Sequence, residues 1–444
     1  MSSATRSNFD SDPDGPASRV VADATCTACG CLCDDIVLTV AGGRIVAAGH
    51  ACDLGSAWFL RDHNRGDRPA AAVDGQPATR EDAIARAAEI LGAARAPLVL
   101  GLTRTTVEAQ AAAVALADRI GALVDPAHAA DAAPRLLAVQ HLGCVSATLG
   151  EVRNRADVVV FWGVDPLVSH PRHWQRYSVE PAGRFVPEGR AGRAVIVADA
   201  HHTATAARAD LFVPIDPDRQ FEALWALRAL VRGADRDGGG VPAGPSLRDV
   251  ADRMVQARYG AFFFGPNLGR APGGPANVEA ALALVRDLNA STRFVALTLG
   301  GPGNPGGIEA VLSWQAGAPL AVDFALGYPR FLPGDATAPD RLARGEADAA
   351  VIVADDPAPG LPPAARDHLD RIPTVVLAPD ATDPARRATV ALATATYGIH
   401  TPGTVIRSDG VSLPLRPALT SDLPTDHDIL RAIEDRLANF SSRR

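Results

Sequence analysis

The stretch Asp157-Val-Val-Val-Phe-Trp162-Gly163-Val-Asp-Pro166 decides the fold class. Five apolar residues run without alternation, then stop at a glycine and an Asp-Pro pair. A strand with one wet face alternates apolar and polar residues, whereas a continuous apolar run belongs to a strand covered on both faces. The same pattern recurs at 97–102, 194–198, 261–264, 294–297, 349–353 and 374–377. Between these runs lie stretches with helical spacing, at 81–94, 107–120, 218–232, 276–288 and 427–437. Thr79 is placed to cap the first of them, and Glu81 and Asp82 suit the positive end of its dipole. Strands of this kind alternating with amphipathic helices predict an α/β protein built on parallel sheets.

Ligands of such sheets bind beyond the carboxyl ends of the strands. Trp162, Gly163 and Asp165 stand at one such end, Asp199 follows Ala198 at another, and Asp355 follows Ala354 at a third. Asp and Pro also close strands where nothing binds, so this pattern alone leaves both readings open. Glycine-rich segments at 265–275 and 300–307 likewise follow strands, and 235–245 is expected to be an exposed loop.

Composition narrows the functions. The 444 residues suffice for two or three domains, and 47% hydrophobic with 21% charged residues is an ordinary globular balance. Net charge is −8 and no basic block tracks a phosphate backbone, which excludes nucleic acid as a partner. All 43 basic residues are arginine, so the chain has neither a Schiff-base lysine nor a P-loop lysine. No apolar run approaches the roughly 20 residues that cross a bilayer. Residues 1–20 are polar and rich in Ser, Asp and Pro, and read as a disordered tail rather than a signal peptide. A cytoplasmic protein is expected, and clustered cysteines in that compartment point to metal or redox chemistry.

Five of the six cysteines lie in the first part of the chain. Cys26, Cys29, Cys33 and Cys52 form C-x2-C-x3-C-x18-C. A hairpin predicted at 35–40 and 44–48, turning at Ala41-Gly42-Gly43, carries the chain back toward Cys52. Four thiolates suit a [4Fe–4S] cluster or a structural zinc, and the same motif also survives empty. The two-then-three spacing favours iron–sulfur ligation, since zinc sites more often use paired C-x2-C knuckles. Cys31 is a spare within the motif. Cys144 stands apart and is expected to be a small buried hydrophobe.

Cys26-Thr-Ala-Cys-Gly-Cys-Leu-Cys-Asp-Asp-Ile36 resembles the N-terminal signature of the B subunit of formylmethanofuran dehydrogenase, of the molybdopterin oxidoreductase superfamily. The resemblance continues through Ala51-Cys-Asp-Leu-Gly55, Thr148-Leu-Gly-Glu-Val-Arg-Asn-Arg-Ala-Asp157, Phe161-Trp-Gly-Val-Asp-Pro166 and Ser169-His-Pro-Arg-His173. It reappears at Val322-Asp-Phe-Ala-Leu-Gly-Tyr-Pro-Arg330, with Pro333-Gly334 behind it, and at Ala354-Asp-Asp-Pro357. These blocks keep the family order. The resemblance implies a small four-cysteine domain (21–75) on two Rossmann-like, doubly wound domains. One domain (146–294) is inserted in the other (76–145 and 295–444). It also implies a molybdopterin or tungstopterin guanine dinucleotide between them, contacted by Trp162, Gly163, Asp165, Asp199, Asn304 and Asp355.

Two departures from the family pattern stand out. The metal-ligating Cys or selenocysteine of the family precedes the Thr-Leu-Gly-Glu block. Here Asp125-Pro-Ala-His-Ala-Ala-Asp-Ala-Ala-Pro134 occupies that place without a cysteine, and Cys144 is too close to Thr148 to replace it. The family's Met-Arg-Gly-His-Tyr-Asn stretch corresponds to Leu299-Gly-Gly-Pro-Gly-Asn304, in which Gly300 replaces Arg, Pro302 replaces His, and Asn304 is kept. A soft metal without its thiolate is poorly held, and an Arg facing developing negative charge is typically worth several kcal/mol.

This pattern resembles the B subunit of the bacterial formyltransferase/hydrolase complex of one-carbon metabolism. It implies a non-redox structural role alongside an amidohydrolase-type A subunit, a C subunit and a formyltransferase D subunit, with tetrahydromethanopterin and furan-type formyl carriers. The alternative is a catalytic dehydrogenase subunit in which an oxygen ligand such as Asp131 replaces the thiolate. A third reading is an unrelated zinc-stabilised α/β binding protein. His170, Arg172 and His173 suit an anionic group or the hydrogen bonding of the Asp165-Pro166 turn. Trp174 suits the core or an interface, and Asp323, Tyr328 and Arg330 either line the cleft or lock their own loop.

Overall fold

The computed structural model describes residues 18–63, 69–234, 245–332, 337–379 and 383–441. Most of the expected tail, the 235–244 part of the expected loop, and Pro333-Gly334 lie outside the described residues.

The continuous apolar runs are buried strands. Val158–Trp162, Gly260–Phe264, Ala349–Val353 and Thr374–Ala378 are buried along their whole length. A five-stranded, all-parallel sheet has the order Leu211–Pro214, Ala194–Asp199, Val158–Trp162, Gly260–Phe264, Phe294–Thr298. A nine-stranded sheet has a parallel centre of Leu123–Pro126, Pro97–Gly101, Ala349–Val353, Thr374–Ala378 and Val390–Ala393. Antiparallel strands finish it: Val322–Asp323 and Arg330–Phe331 on one side, Ala71–Val73 and Gln76–Pro77 on the other. Each sheet has a point where successive connections diverge, the usual place for a ligand crevice. In the small sheet it falls between Val158–Trp162 and Gly260–Phe264, and in the large sheet between Pro97–Gly101 and Ala349–Val353.

Helix boundaries follow local chemistry. Thr79 accepts a hydrogen bond from the Asp82 amide at the start of Arg80–Ala93, and Thr106 accepts one from the Ala109 amide at the start of Val107–Ile120. The hairpin is present as Ile36–Ala41 and Arg44–Gly49, with Gly42 and Gly43 at φ +56° and +74°. Two successive positive φ angles make this the tight turn that matches strand twist, and glycine takes them without a steric cost.

The domain borders expected from sequence shift in four places. Arg19–Ala24 is a third strand on the hairpin, so order begins inside the expected tail. Ala71–Val73 belongs to the large sheet rather than to the cysteine segment. Phe294–Thr298 completes the small sheet, past the expected border at 294. The helix Ala129–Leu142 packs through Ala138, Val139 and Leu142 on the small sheet's core, although its sequence falls in 76–145.

Candidate functional site

A cavity of about 450 Å³ opens between the two sheets. Carboxyl-terminal ends of strands from both sheets converge on it. Phe264 ends one strand and Gly265 follows it, Thr298 ends another and Leu299 to Gly301 follow it, while His128, Asp131 and Arg135 come from the segment after Leu123–Pro126. Helix Pro305–Ala316 supplies Glu309 and Trp314, and the turn after Gly403–Ile406 supplies Arg407 and Ser408. An ideal Cβ on Gly300 or Gly301 meets nothing within 4 Å, so the residues standing in for the family's Arg-Gly leave open space.

The charges on this wall are paired. Glu309 lies 2.5 Å from Arg135 and 3.1 Å from His128. Burial raises the Glu309 carboxyl, but Arg135 and the His128 hydrogen bond outweigh it and hold the group down at about 2. Arg270 donates to both oxygens of Asp131, at 2.6 and 2.5 Å. Arg407 donates to both oxygens of Asp409 at 2.7 Å.

Five of the six residues expected to touch a pterin are already engaged in the protein's own hydrogen bonds. The Trp162 side chain is 1% exposed and its Nε1 donates to Gln220, so it belongs to the core. Asp165 accepts from the Thr205 hydroxyl and the Ala204 amide. Asp199 accepts from the amide of His201. Asp355 lies at the crevice of the large sheet, where the Thr103 amide and hydroxyl donate to it and Arg104 stands 3.3 Å away. Burial raises its carboxyl against these partners. Asn304 is fully buried, and its side chain joins Thr105, Gln110 and Ile406. Gly163, at φ +61° with no atom near its missing Cβ, keeps an open backbone approach. None of these six residues lines the cavity, and the arginines on the cavity wall, Arg135 and Arg407, each already hold a carboxylate.

The cysteine segment packs beside this cavity. An ideal Cβ on Gly30 lies 2.9 Å from the Gly300 carbonyl, and the Gly303 amide donates to the Thr27 carbonyl. Cys26, Cys31 and Cys33 are buried, while Cys29 and Cys52 are partly exposed. The Cys26 and Cys52 sulfurs flank Gly55, 3.2 and 3.9 Å from where its Cβ would stand. Burial raises the Cys26 thiol, and its thiol neighbours Cys29, Cys33 and Cys52 add to the effect. Burial also raises Cys33, against Arg172 and Arg176. Among the described residues, no group of three or more His, Cys, Asp or Glu side chains stands in position to hold a metal ion. The donor set, all sulfur with Cys26 and Cys33 buried, has the chemistry of a soft metal centre, and the thiols are not gathered around a single-ion position.

Other expected residues resolve into structure. Arg172 donates to both oxygens of Asp35, and Arg176 to Asp34, tying the cysteine segment to the small-sheet unit. His170 meets the Gly300 carbonyl at 2.9 Å, and His173 is fully buried against Phe263. Trp174 is core. Asp323 is fully buried and ion-paired to Arg330 and Arg341, so it locks its loop, while Tyr328 is exposed. Cys144 is exposed, contrary to expectation, because 143–146 runs along the open edge of Phe294–Thr298. The Glu309–Arg135–His128 cluster has no signature in the sequence, since no local motif links residues so far apart.

The geometry is that of a two-sheet crevice beside a four-thiol loop. The chain is 37% identical over 429 residues to the B subunit of the tungsten-containing formylmethanofuran dehydrogenase 2 of Methanocaldococcus jannaschii, covering 94% of this chain and 98% of that one. The chain belongs to the family of formylmethanofuran dehydrogenase B subunits. Its counterpart in Methanococcus maripaludis is 34% identical over 433 residues, again across 94% of this chain and 98% of that one. The B subunit of the formyltransferase/hydrolase complex Fhc of Methylorubrum extorquens is 31% identical over 300 residues, 65% of this chain and 76% of that one. A crystal structure of the Methylorubrum extorquens complex FhcABCD with methylofuran contains a chain that matches this one with a TM-score of 0.71. The two are 28% identical, across 84% of this chain and 100% of that one. Acetylene hydratase from Pelobacter acetylenicus shares the fold alone, with a TM-score of 0.65 at 10% identity, across 94% of this chain and 69% of that one. No protein-family model matches. Membership in this family sets aside the reading as an unrelated zinc-stabilised protein and gives the chain a place in one-carbon metabolism. Among the described residues no helix is long and apolar enough to cross a membrane.

Proposed function

We propose that this chain is the non-redox, structural B subunit of a formyltransferase/hydrolase complex that carries one-carbon units from formaldehyde toward formate. Its partners there are an amidohydrolase-type A subunit, a C subunit and a formyltransferase D subunit, with a furan-type formyl carrier nearby in the cytoplasm. The observation that carries this reading is the missing thiolate between Asp125 and Pro134. The oxygen ligand that would replace it, Asp131, is committed to two short bonds with Arg270. Freeing it would leave an unpaired guanidinium and lose a bidentate, charge-assisted pair. The open space at Gly300, where the family carries Arg, supports the same reading.

A [4Fe–4S] cluster held by Cys26, Cys29, Cys33 and Cys52 is part of this proposal, and such a group supplies one-electron transfer where a redox partner exists. In this protein it would brace the loop that packs on 300–303. The second reading is a catalytic subunit of an active dehydrogenase. It draws support from the archaeal tungsten enzymes, which match more of this chain than the bacterial relative does.

Metal and pterin content of the anaerobically purified complex separates the two. Iron at about four per copy of this chain, without tungsten, molybdenum or pterin, is expected. Tungsten or molybdenum with pterin, together with viologen-linked oxidation of the formylated furan carrier, would replace the first reading with the second.

A further inference from the structure

The cavity between the sheets has an electrostatic character that its place in the fold does not require. Four charged side chains with resolved partners lie on its wall: Asp131, Arg135, Glu309 and Arg407. Asp131 is paired to Arg270, Arg135 to Glu309, and Arg407 to Asp409. A phosphate entering here competes for arginines whose charge is already neutralised by a carboxylate, so the wall offers it little net attraction. The rest of the wall is His128, which meets Glu309 at 3.1 Å, with apolar side chains, glycine and proline, and neutral hydroxyls from Thr298, Ser313, Ser408 and Ser412. Gly300 and Gly301 present bare backbone to open space, and the Trp314 indole stands at the cavity, 67% exposed. A volume of about 450 Å³ suits one small molecule.

We infer that this cavity is a binding site for a neutral, flat small molecule, a planar amide or heteroaromatic ring lying along Gly300-Gly301 and held by hydroxyl groups, and not for a phosphorylated cofactor. Peptide faces and an indole stack on flat rings without demanding charge. Hydroxyls donate and accept, so a single amide or ring heteroatom is satisfied without unpairing an arginine. The wall offers a phosphate no unpaired arginine, and its volume is open enough to admit a small molecule.

The test is calorimetric titration of the full-length chain in its complex, with four probes: N-furfurylformamide, N-benzylformamide, inorganic pyrophosphate and GMP. The neutral amides bind and the two phosphates do not. A preference for the furan over the benzyl amide identifies the carrier's ring end as the natural source, and equal binding identifies a free aromatic molecule. Gly300→Leu, which fills open space without backbone strain, weakens amide binding at least about tenfold. Glu309→Gln leaves Arg135 without its carboxylate and gives pyrophosphate a measurable affinity, at least about tenfold above wild type. Pyrophosphate or GMP binding to the wild-type protein overturns the inference. So does failure of both amides to bind, or amide binding that Gly300→Leu leaves unchanged. The titration needs no metal, so its outcome is read separately from the metal content that tests the non-redox assignment.

Discussion

Asp426 shows how one buried carboxylate couples this fold to pH. It is 5% exposed, at the start of helix Asp426–Ser441, and the Thr105 hydroxyl donates to it at 2.6 Å. Burial pushes its carboxyl up from 3.8 to about 6 despite this bond. The folded state therefore favours the protonated form. The stability this contributes is complete below the ordinary value of 3.8 and is lost as pH rises through about 6. Buried His170 and His173 act in the opposite sense. Desolvation lowers them to about 4 and about 3, so their contribution is present above 6.5 and is lost as pH falls. The raw stability curve thus mixes both signs, and a single substitution isolates one of them. Asp426→Asn keeps the acceptor for Thr105 and removes the titration. Urea unfolding of both proteins should show the variant gaining roughly 2 kcal/mol relative to wild type between pH 4 and pH 7. A difference that stays flat across that range rejects the assignment.

At the scale of elements, helix Ala129–Leu142 positions much of the cavity wall, and its seating depends on one glycine. A Cβ on Gly269 would stand 2.7 Å from Cβ and 2.9 Å from Cγ of Pro134, which lies inside that helix. A proline ring cannot swing aside, so the neighbouring helix Pro266–Arg270 must move instead. Gly269→Ala is expected to cost about 1–3 kcal/mol by overpacking. It should also weaken the Arg270–Asp131 pair next door, which thermal denaturation and binding of a neutral amide would report together. This helix also marks where sequence stops being legible. The continuous runs at 349–353 and 374–377 declare themselves, because burial on both faces leaves no charged residue in them and Thr374 as their one polar residue. Val107–Ile120 is equally plain, with a threonine cap and a glycine at φ +67° to end it. Ala129–Leu142 carries a proline in its interior and no capping side-chain bond, and its alanines do not separate a core face from a wet one. Tertiary packing on Gly274–Leu288 makes it a helix, and that contact spans more than a hundred residues. The site was legible in the same measure. The cysteine spacing and the strand ends are local patterns, whereas the pairing of Arg135 with Glu309 exists only after folding.

For the whole molecule, the decisive loop is 299–304, where the family's Arg and His have given way to Gly300 and Pro302 but Asn304 remains. A residue that served only the redox site would have no reason to outlast it. The structure supplies another reason, because four parts of the protein meet in this loop. The Asn304 side chain donates to the Thr105 carbonyl and accepts from the Ile406 amide, linking the large sheet to the C-terminal hairpin. Its carbonyl accepts from Gln110. One residue earlier, the Gly303 amide reaches the Thr27 carbonyl of the cysteine segment, and the Gly300 carbonyl meets His170 of the small-sheet unit. Asn304→Ala would leave a buried amide and a buried carbonyl without partners, each worth about 1–3 kcal/mol. The loss falls on contacts that hold separate units to one another, so its signature is in cooperativity as well as in stability. Wild-type protein should unfold in urea with coincident tryptophan fluorescence and far-UV circular dichroism. In Asn304→Ala the two probes should separate, with buried cysteines becoming reactive toward a thiol reagent before the helical signal is lost. Coincident transitions at an unchanged midpoint would show that Asn304 is dispensable to the architecture, and its retention would then have to be explained by a ligand.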